Sequence, residues 1–191
     1  MCGRYYVEID EKDLADICNE VQKNLENTPE QLSFNMTSGE VFPTNIVPIR
    51  VGDKDYKAMK WGFTGYDGKP IINARSETAL IKPTFKVPMQ TGRCLIPASG
   101  YYEWQRAGGR KQKYSFTLPD RKIMYMAGCY RLEEGNRICS FVILTRPASA
   151  IIKDIHDRMP VLIPEGRTHD WLYDSYDAID EAVNELEYRL A

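Results

Sequence analysis

Cysteine is too scarce and too scattered in this sequence of 191 residues to indicate a disulfide framework or a metal site. The five cysteines form an odd set without a C-x-x-C pair: Cys2, Cys18, Cys94, Cys129 and Cys139. A disulfide framework needs paired cysteines, and a zinc site needs ligands at close spacing. We therefore expect neither a metal nor a cofactor, and we expect the reducing cytoplasm as the compartment.

The sequence also lacks a long apolar run and a basic excess. No stretch approaches the ~20 apolar residues of a membrane-spanning helix. The polar start Met1-Cys2-Gly3-Arg4 has no apolar core of a signal peptide. A net charge of -2 argues against coating nucleic acid through bulk charge. We expect a monomer without membrane contact, in which any contact with DNA uses a local basic groove.

What is present is the composition of an ordinary globular protein, with 43% hydrophobic and 27% charged residues. A chain of this length suits one domain, spanning residues 1–191, with a substantial core. Apolar residues at helical spacing predict an amphipathic helix over 10–25, capped by Asp10. Residues 27–45 are rich in turn formers and predict a long loop that closes with Pro43.

The middle of the chain predicts β-structure. Short segments rich in β-branched and aromatic residues are separated by turn signals such as Gly52-Asp53 and Gly108-Gly109. These segments are 46–51, 56–63, 93–96, 101–105, 113–118, 123–130 and 138–145. Short helices are predicted over 76–81 and 148–153, and a helical tail over 165–190. The predicted class is α+β, a single domain built on an antiparallel, partly barrel-like β-sheet with flanking helices.

Cys2 is the most informative position. Initiator methionine is normally removed before a small second residue, and removal would leave Cys2 with a free α-amine beside its thiol. Reference pKa values of ≈ 7.7–8.0 for the amine and ≈ 8.5 for the thiol make both groups usable nucleophiles. With an aldehyde, the amine forms an imine that the tethered thiol closes into a thiazolidine. The alternative reading is a small residue packed beneath the first strand.

Two residues are candidates for moving protons. Glu103 lies in an aromatic strand, where burial would raise its pKa towards neutrality. The alternation of the strand is equally compatible with an outward-facing Glu103 at an edge. His156 lies in a charged loop closed by Pro160 and suits proton transfer near pH 7, although a lone loop histidine is more often structural. His169, in a polar turn, is expected to be solvated.

Two groups of polar residues could bind an anion such as a phosphate. Arg4 would share a face with Cys2 if the start is extended, where it could favour the thiolate and hold a phosphate. Asn73, Arg75 and a capping Ser76 offer an amide, a guanidinium and a hydroxyl where a strand meets a short helix. The plain alternatives are a solvated arginine and an ordinary helix start.

Aromatic rings next to glycine form another candidate surface. Trp61-Gly62-Phe63, with Tyr66 nearby, looks exposed and suits stacking against DNA bases. Core packing is the alternative reading, and the core is the more common place for aromatic side chains.

Five motifs in one order make the chain similar to a known family. They are Met1-Cys2-Gly3-Arg4, Trp61-Gly62-Phe63, Ile72-Asn73-Ala74-Arg75-Ser76-Glu77-Thr78, Gly100-Tyr101-Tyr102-Glu103-Trp104 and His156-Asp157-Arg158-Met159-Pro160. From position 2 to Pro164 the chain resembles the SOS-response-associated peptidase (SRAP) family, whose members crosslink to abasic sites. Five ordered motifs are far more specific than any single one.

The resemblance implies a function and a set of site residues. It implies an abasic-site sensor and shield, whose mature N-terminal cysteine forms a thiazolidine DNA-protein crosslink with the ring-opened aldehyde in single-stranded DNA, as part of the DNA damage response. The implied catalytic residues are Cys2, Asn73, Glu103 and His156. Glu103 would move protons during sugar ring opening, and His156 would assist the imine chemistry and slow reversal. The implied DNA-binding residues are Arg4, Pro43, Trp61, Phe63, Arg75 and Arg158.

The chain departs from the family pattern in two places. Many members have Asn-x-x-Pro in the loop that touches DNA, where this chain has Glu40-Val41-Phe42-Pro43. A glutamate facing a phosphate would repel it, so Pro43 is carried over with more weight than Glu40. The tail up to Ala191 is predicted to be helical, whereas many relatives continue into a further strand.

Two other classes of function are compatible with the same residues. A cysteine peptidase or amidohydrolase would use Cys2 as an N-terminal nucleophile and Glu103 or His156 as its base, and an autopeptidase would remove Met1. A non-catalytic single-stranded DNA-binding module would bind equally well without Cys2. Turnover of an amide substrate without DNA would favour the first, and unchanged DNA binding by Cys2→Ala would favour the second.

Overall fold

The computed structural model describes residues 2–8, 12–26, 39–107, 110–119, 121–135 and 137–191. Three α-helices are present in these ranges: α1 (Lys12–Glu26), α2 (Ser76–Ala79) and α3 (Pro83–Thr91). The first strands are β1 (Tyr5–Val7), β2 (Gly39–Val41), β3 (Ile46–Arg50), β4 (Tyr56–Trp61), β5 (Phe63–Thr64), β6 (Pro70–Ile71) and β7 (Asn73–Arg75). The remaining strands are β8 (Arg93–Ala98), β9 (Gly100–Ala107), β10 (Arg110–Thr117), β11 (Met124–Arg131), β12 (Ser140–Pro147), β13 (Arg158–Pro160), β14 (Leu162–Ile163) and β15 (Glu187–Leu190).

Five strands close into a barrel. Their order is β12-β4-β3-β8-β11, and β11 pairs back with β12 to complete the ring. Most pairs are antiparallel, but β12 runs parallel to β4 and to β7. Closure removes the free edges of these strands. The predicted α+β class and barrel-like sheet are confirmed, and the two parallel pairs are an addition to the predicted antiparallel pattern.

A second sheet has the order β15-β10-β9-β1-β2 and packs against the barrel. Alternate residues of its strands point into the shared core, including Tyr5 of β1, Tyr101 of β9 and Phe116 of β10. The rings of Tyr101 and Phe116 stack with centroids 4.9 Å apart. Trp61, from the barrel strand β4, lies 5.2 Å from Tyr5 and joins the two layers. The N-terminal strand is therefore held in the centre of the molecule.

Helices cover the outside of the barrel. Helix α1 packs on β3 and β4 through Leu14 and Val21, which are buried as its spacing predicts. The proposed cap, Asp10, and residues 27–38 of the predicted loop lie outside the described residues. Residues 39–41 of that loop form β2 instead, since they complete the edge of the second sheet against β1. None of the described helices is long and apolar enough to cross a membrane.

The seven predicted strands are all confirmed, with ends that differ by a few residues. The turn at Gly52-Asp53 joins β3 to β4, and Gly108-Gly109 lies outside the described residues. The predicted helix over 76–81 is present as α2, but Ser76 is its first residue and not its cap, which is Arg75 without a side-chain hydrogen bond. Helix α3 was not predicted, because Pro88 inside it reads as a helix breaker.

Two helical predictions are wrong. Residues 148–153 form successive single turns, closed by hydrogen bonds from Lys153 N to Ser149 O and from His156 N to Ile152 O. The hydrogen bond from Ala148 N to Asp157 O ties the two ends of this loop together, so no helix can propagate through it. The tail over 165–190 is not one helix but contains three short helical turns, at Glu165–Arg167, Asp170–Asp174 and Tyr176–Ile179.

The tail ends in a strand, contrary to the predicted helix. Strand β15 pairs antiparallel with β10, with Tyr114 opposite Leu190. Ala178, Ala182 and Leu186 are buried four residues apart, which imitates the period of a helix. The hydrogen bond from Val183 N to Leu162 O shows that the backbone there bonds to the sheet instead of to itself. The departure from the family pattern inferred from a helical tail is therefore withdrawn.

Candidate active site

Cys2 lies immediately before β1 and is fully buried in the shared core. Its thiol lies 3.9 Å from the carbonyl oxygen of Arg4. Burial raises the pKa of the Cys2 thiol well above its ordinary value, and the negative charge of Glu103 raises it further. The thiol therefore keeps its proton at neutral pH, and a neighbouring base must remove that proton when the sulfur reacts.

Asn73 fixes the backbone of Cys2. It begins β7, where it lies opposite Ile143 of β12, and its Nδ2 donates a hydrogen bond of 2.9 Å to the Cys2 carbonyl oxygen. The preceding residue is held as well, because the indole of Trp61 donates to the carbonyl oxygen of Ile72 at 3.0 Å. This places the predicted site residues Cys2 and Asn73 in direct contact.

Glu103 points into the protein. It lies opposite Tyr114 in the β9–β10 pair and is only 3% exposed, so the buried reading of the strand is the correct one. Burial raises the pKa of Glu103, since removal of water disfavours the charged carboxylate. A carboxyl group with a raised pKa exchanges its proton closer to neutral pH than a solvated glutamate does.

His156 faces Glu103 from the loop between β12 and β13. Its Nε2 lies 3.8 Å from the carboxylate of Glu103. Its Nδ1 lies 3.0 Å from the backbone N of Arg158 and 2.9 Å from the carboxylate of Asp157. A ring nitrogen either carries a proton or has a free lone pair, so Nδ1 cannot both accept from the Arg158 N–H and donate to Asp157. We assign the proton of the neutral ring to Nε2, because the Arg158 N–H is fixed by the backbone whereas the Asp157 side chain is 86% exposed and free to turn away.

An open cleft of ≈ 460 Å³ reaches Glu103 and His156. Glu103 and His156 line it together with Trp104 and Lys111. The loop on its far side is held to β9 by a hydrogen bond of 2.9 Å from Gln105 Nε2 to the Asp154 carbonyl oxygen. An acid–base pair thus lies at a space open to solvent, with the buried Cys2 close to Glu103 and hydrogen-bonded to Asn73.

Comparison with known proteins decides the family. The family model described as "SOS response associated peptidase (SRAP)" matches residues 1–189. The chain belongs to the SRAP family. Among its curated relatives is the abasic site processing protein YoqW of Bacillus subtilis, 30% identical over 184 residues, with 90% of this chain and 80% of the relative covered. Another is the abasic site processing protein YedK of Escherichia coli, 29% identical over 180 residues, with 90% and 79% covered.

Solved structures share the fold. A protein from Bacteroides thetaiotaomicron superposes with a TM-score of 0.79 at 20% identity, covering 99% of this chain and 91% of that one. A protein from Bordetella bronchiseptica superposes with a TM-score of 0.76 at 22% identity, covering 100% and 99%. At this identity the likeness supports the fold alone. Because the family model covers residues 1–189, the barrel with its second sheet is the fold of an SRAP domain.

One of the two roles predicted for Arg4 in this SRAP protein, favouring the Cys2 thiolate, does not fit its position. Its guanidinium lies away from the Cys2 thiol, over the rings of Phe42 at 4.1 Å and Trp104 at 5.2 Å. It forms an ion pair of 3.1 Å with Glu40. The expectation that Arg4 favours the thiolate is therefore wrong, because its charge is neutralised by Glu40 and the sulfur contacts only its backbone.

The other predicted phosphate ligands differ in availability. Arg75 is exposed at the end of β7 and has no ion-pair partner in the part of the chain that the structure describes. Arg158 is bound internally, because its guanidinium donates to Glu77 at 2.8 Å and to the Thr145 carbonyl oxygen at 2.7 Å. A phosphate would have to displace Glu77 to reach Arg158, so the structure favours Arg75 over Arg158.

The rings predicted to stack on bases are in the core. Trp61 and Phe63 are both fully buried, and Trp61 packs against Phe141 with centroids 6.3 Å apart. The prediction that they form an exposed stacking surface is wrong, because Trp61 packs in one hydrophobic cluster of the core and Phe63 in another. Tyr66, in the next turn, is exposed. Pro43 is half-buried in the turn that follows β2, next to Phe42.

Sequence reasoning missed the rings and the cation that lie beside Arg4. Trp104 alternates with Glu103 along β9, so its side chain leaves the other face of the sheet, although it still reaches the rim of the cleft that Glu103 lines. Lys113 lies directly opposite Trp104 in the β9–β10 pair, and Phe42 is 42% exposed. Alternation could have indicated Trp104, but Lys113 and Phe42 are placed by sheet register, which the sequence does not reveal.

Proposed function

We propose that this SRAP protein processes abasic sites in single-stranded DNA by forming a covalent crosslink at Cys2. The observation that carries the proposal is the convergence of Cys2 and Asn73 with the Glu103–His156 pair at an open cleft. The relatives named abasic site processing proteins support the same substrate. The crosslink would hide the damaged site and make the protein a sensor and shield.

The chemistry begins with the removal of Met1. As long as Met1 is attached, the nitrogen of Cys2 is an amide and cannot attack an aldehyde. After removal, the α-amine adds to C1′ of the ring-opened sugar, and loss of one water gives an iminium ion. The thiol then adds to the same carbon as its proton leaves, which closes a five-membered thiazolidine. The net reaction joins protein and DNA with the loss of one water.

Glu103 suits two successive proton transfers. In its protonated form, which its raised pKa favours, it can donate to the ring oxygen of the abasic sugar as the ring opens. The resulting carboxylate can then accept the proton of the Cys2 thiol, which burial keeps protonated until that step. One residue thereby returns to its starting state at the end of the sequence.

His156 and Asn73 support these steps. The Nε2–H of His156 points towards Glu103 across 3.8 Å and would stabilise the carboxylate once it has formed. The same N–H can donate to the oxygen that leaves as water during imine formation. Asn73 holds the carbonyl of Cys2 and so fixes where the amine and the thiol point. Fixed orientation matters because both nucleophiles must reach one carbon atom.

A single strand suits the cleft better than a duplex. The reacting residues are buried beneath the surface, so the abasic sugar must leave the line of stacked bases to reach them. An unpaired strand can do this without the cost of opening base pairs. Exposed Arg75 and the turn of Phe42 and Pro43 lie at the surface, where the flanking backbone would run.

A denaturing gel tests the proposal. The processed protein should retain an oligonucleotide with one abasic site, and Cys2→Ala should lose this band. Cys18→Ala is the matched control, since Cys18 is half-buried on α1 and should crosslink like the wild type. An intact band with Cys2→Ala would contradict the proposal. Equal noncovalent binding by both proteins without any band would instead indicate a simple single-strand binding module.

Self-removal of Met1 is a finer proposal that rests on the same nucleophile. Attack of the Cys2 thiol on the carbonyl of Met1 would shift the acyl group from nitrogen to sulfur, and water would then release methionine. Translation in a system without methionine aminopeptidase tests this step. Wild-type chain lacking Met1, beside Cys2→Ala retaining it, would support autopeptidase activity, whereas Met1 retained in both would exclude it.

A further inference from the structure

The outer face of the second sheet carries a group of charged residues drawn from neighbouring strands. Arg4 precedes β1, Glu40 belongs to β2 and Lys113 to β10, with Trp104 of β9 between them. Register places Lys113 opposite Trp104 and Glu40 opposite Tyr6. We call Arg4, Glu40 and Lys113 the bridged triad. It lies on the face opposite to Glu103 of the same strand.

One carboxylate pairs with both cations of the bridged triad and offsets one of their two positive charges. Glu40 Oε2 accepts from the Arg4 guanidinium at 3.1 Å, and Glu40 Oε1 accepts from the Lys113 ammonium. The pKa of Glu40 is lowered, first by the hydrogen bond from Lys113, so the carboxylate stays charged. Two oxygens that each meet one cation are also what a backbone phosphate diester presents.

The cations are held in position independently of Glu40. Arg4 lies over Phe42 and Trp104, and the ammonium of Lys113 lies 3.7 Å from the centre of the Tyr102 ring. The side chains of Arg4, Glu40 and Lys113 are 31%, 29% and 25% exposed, so a ligand can reach them from solvent. The rings fix two cations at a solvent-accessible place, where both are paired with the single carboxylate of Glu40.

We propose that Glu40 occupies a phosphate subsite of the free protein and is displaced when a single strand binds. The inference rests on the proposed function for the identity of the strand, but the subsite rests on the bridged triad alone. Displacing Glu40 breaks its ion pairs with Arg4 and Lys113. Glu40 therefore lowers the affinity for any strand that is bound only through its phosphates. A strand with an abasic site is retained covalently and is affected only in its rate of capture. Glu40 therefore favours damaged over intact strands.

Equilibrium binding of an undamaged single strand tests this role. We expect Glu40→Gln to bind a fluorescein-labelled oligonucleotide about tenfold more tightly than the wild type at low salt. The plot of log K against log salt should steepen by about 0.7 for each cation that is freed to bind a phosphate. Fluorescence anisotropy measures both quantities, and a thermal melt verifies that the variant is folded.

Two further variants make the result specific. Glu165→Gln removes the same charge from an exposed pair with Arg121 elsewhere on the surface, and it should change affinity by less than twofold. Lys113→Gln added to Glu40→Gln should abolish most of the gain. Equal affinities of Glu40→Gln and wild type, or an equal gain with Glu165→Gln, would overturn the proposed subsite. Failure of the wild type to crosslink, with the gain intact, would overturn the proposed function and leave the subsite supported.

Discussion

Glu103 lies in an environment very different from that of a solvated glutamate. Its carboxyl group is buried beside His156, and its pKa is raised by that burial. In the proposed mechanism, Glu103 must be protonated for sugar ring opening, while the Cys2 amine must be neutral to attack. Crosslinking would then depend on two ionisations with opposite demands on pH.

Replacement of Glu103 by glutamine should slow crosslinking by about 10²-fold or more, because the amide keeps the shape but cannot transfer a proton. Wild-type single-turnover rates should rise as the amine loses its proton and fall at higher pH as Glu103 loses its own. The variant should lose the falling limb. A pH profile of the same shape in both proteins would show that Glu103 is not the acid.

The buried hydroxyl group of Tyr101 allows a test of how single residues in the core contribute to stability. Its hydroxyl is buried without a hydrogen-bond partner among the described residues, whereas the Tyr6 hydroxyl shares a hydrogen bond of 3.0 Å with Ser115. Tyr101→Phe should leave the free energy of unfolding unchanged or raise it by about 1 kcal/mol, and Tyr6→Phe should lower it by about 1 kcal/mol. Urea denaturation measures both. A clear loss with Tyr101→Phe would reveal a bound partner for this hydroxyl.

At the scale of elements, strand β9 contributes Glu103 to the site and, from its other face, Trp104 to the rings beside the bridged triad. Gly100, where the strand begins, has no room for a side chain, since an added Cβ would lie 2.6 Å from the carbonyl oxygen of Phe116 and close to the Tyr6 hydroxyl. The strand's placement against β1 and β10 therefore depends on this glycine. Glu103, three residues on, depends on the same placement.

Gly100→Ala should destabilise the fold by about 1–3 kcal/mol and slow crosslinking, because β9 must shift to admit the methyl group. Gly166→Ala is the control, since nothing lies within 4 Å of its added Cβ. Thermal denaturation and single-turnover crosslinking measure the two effects. A fully stable Gly100→Ala protein with wild-type rates would contradict the close packing described for this strand.

The elements that sequence predicted well are those with a local signal. The seven core strands have β-branched and aromatic runs between turn residues, and helix α1 has a clear amphipathic period. The misassigned elements have signals that depend on tertiary partners. Strand β15 forms because it pairs with the edge of β10. The apolar spacing that includes Leu186 resembles that of a helix, but Leu186 is apolar because it packs in the core.

The site shows the same division. Cys2, Asn73, Glu103 and His156 follow from motifs, and the structure brings all four to one region. The motifs do not reveal which side chains are exposed. Trp61 and Phe63 were therefore predicted at the surface although they lie in the core. The motifs do not reveal the ion-pair partner of each arginine either. Glu40 is far from Arg4 in sequence, and Glu77 is far from Arg158, so only the folded chain brings each pair together.

For the whole molecule, the Glu77–Arg158 pair couples helix α2 to the strand that follows the His156 loop. The Arg158 guanidinium lowers the pKa of Glu77 to about 2. A carboxyl group with a lowered folded pKa stabilises the fold above its unfolded pKa of ~4.3, and this stabilisation is lost as the pH falls towards 2. The Glu77 side chain is 44% exposed, so solvent screens the pair and reduces the effect.

Glu77→Gln should therefore have a lower melting temperature than the wild type near neutral pH, and the difference should shrink between about pH 4.5 and pH 2. Glu181→Gln, which breaks an exposed pair with Arg167 in the tail, is the control of equal charge. Scanning calorimetry across this range measures the effect. A constant difference at all pH values would show that the pair does not link α2 to the loop through charge.

The proposed crosslink depends on the amine and the thiol of Cys2 reacting with the same aldehyde carbon. The most direct measurement is the intact mass, under denaturing conditions, of the chain after incubation with a single strand bearing one abasic site, with and without Met1. The account predicts a species of protein plus DNA minus one water for the chain that begins at Cys2, and none for the chain that retains Met1. The same adduct on the Met1-retaining chain, or no adduct on the processed chain, would contradict it.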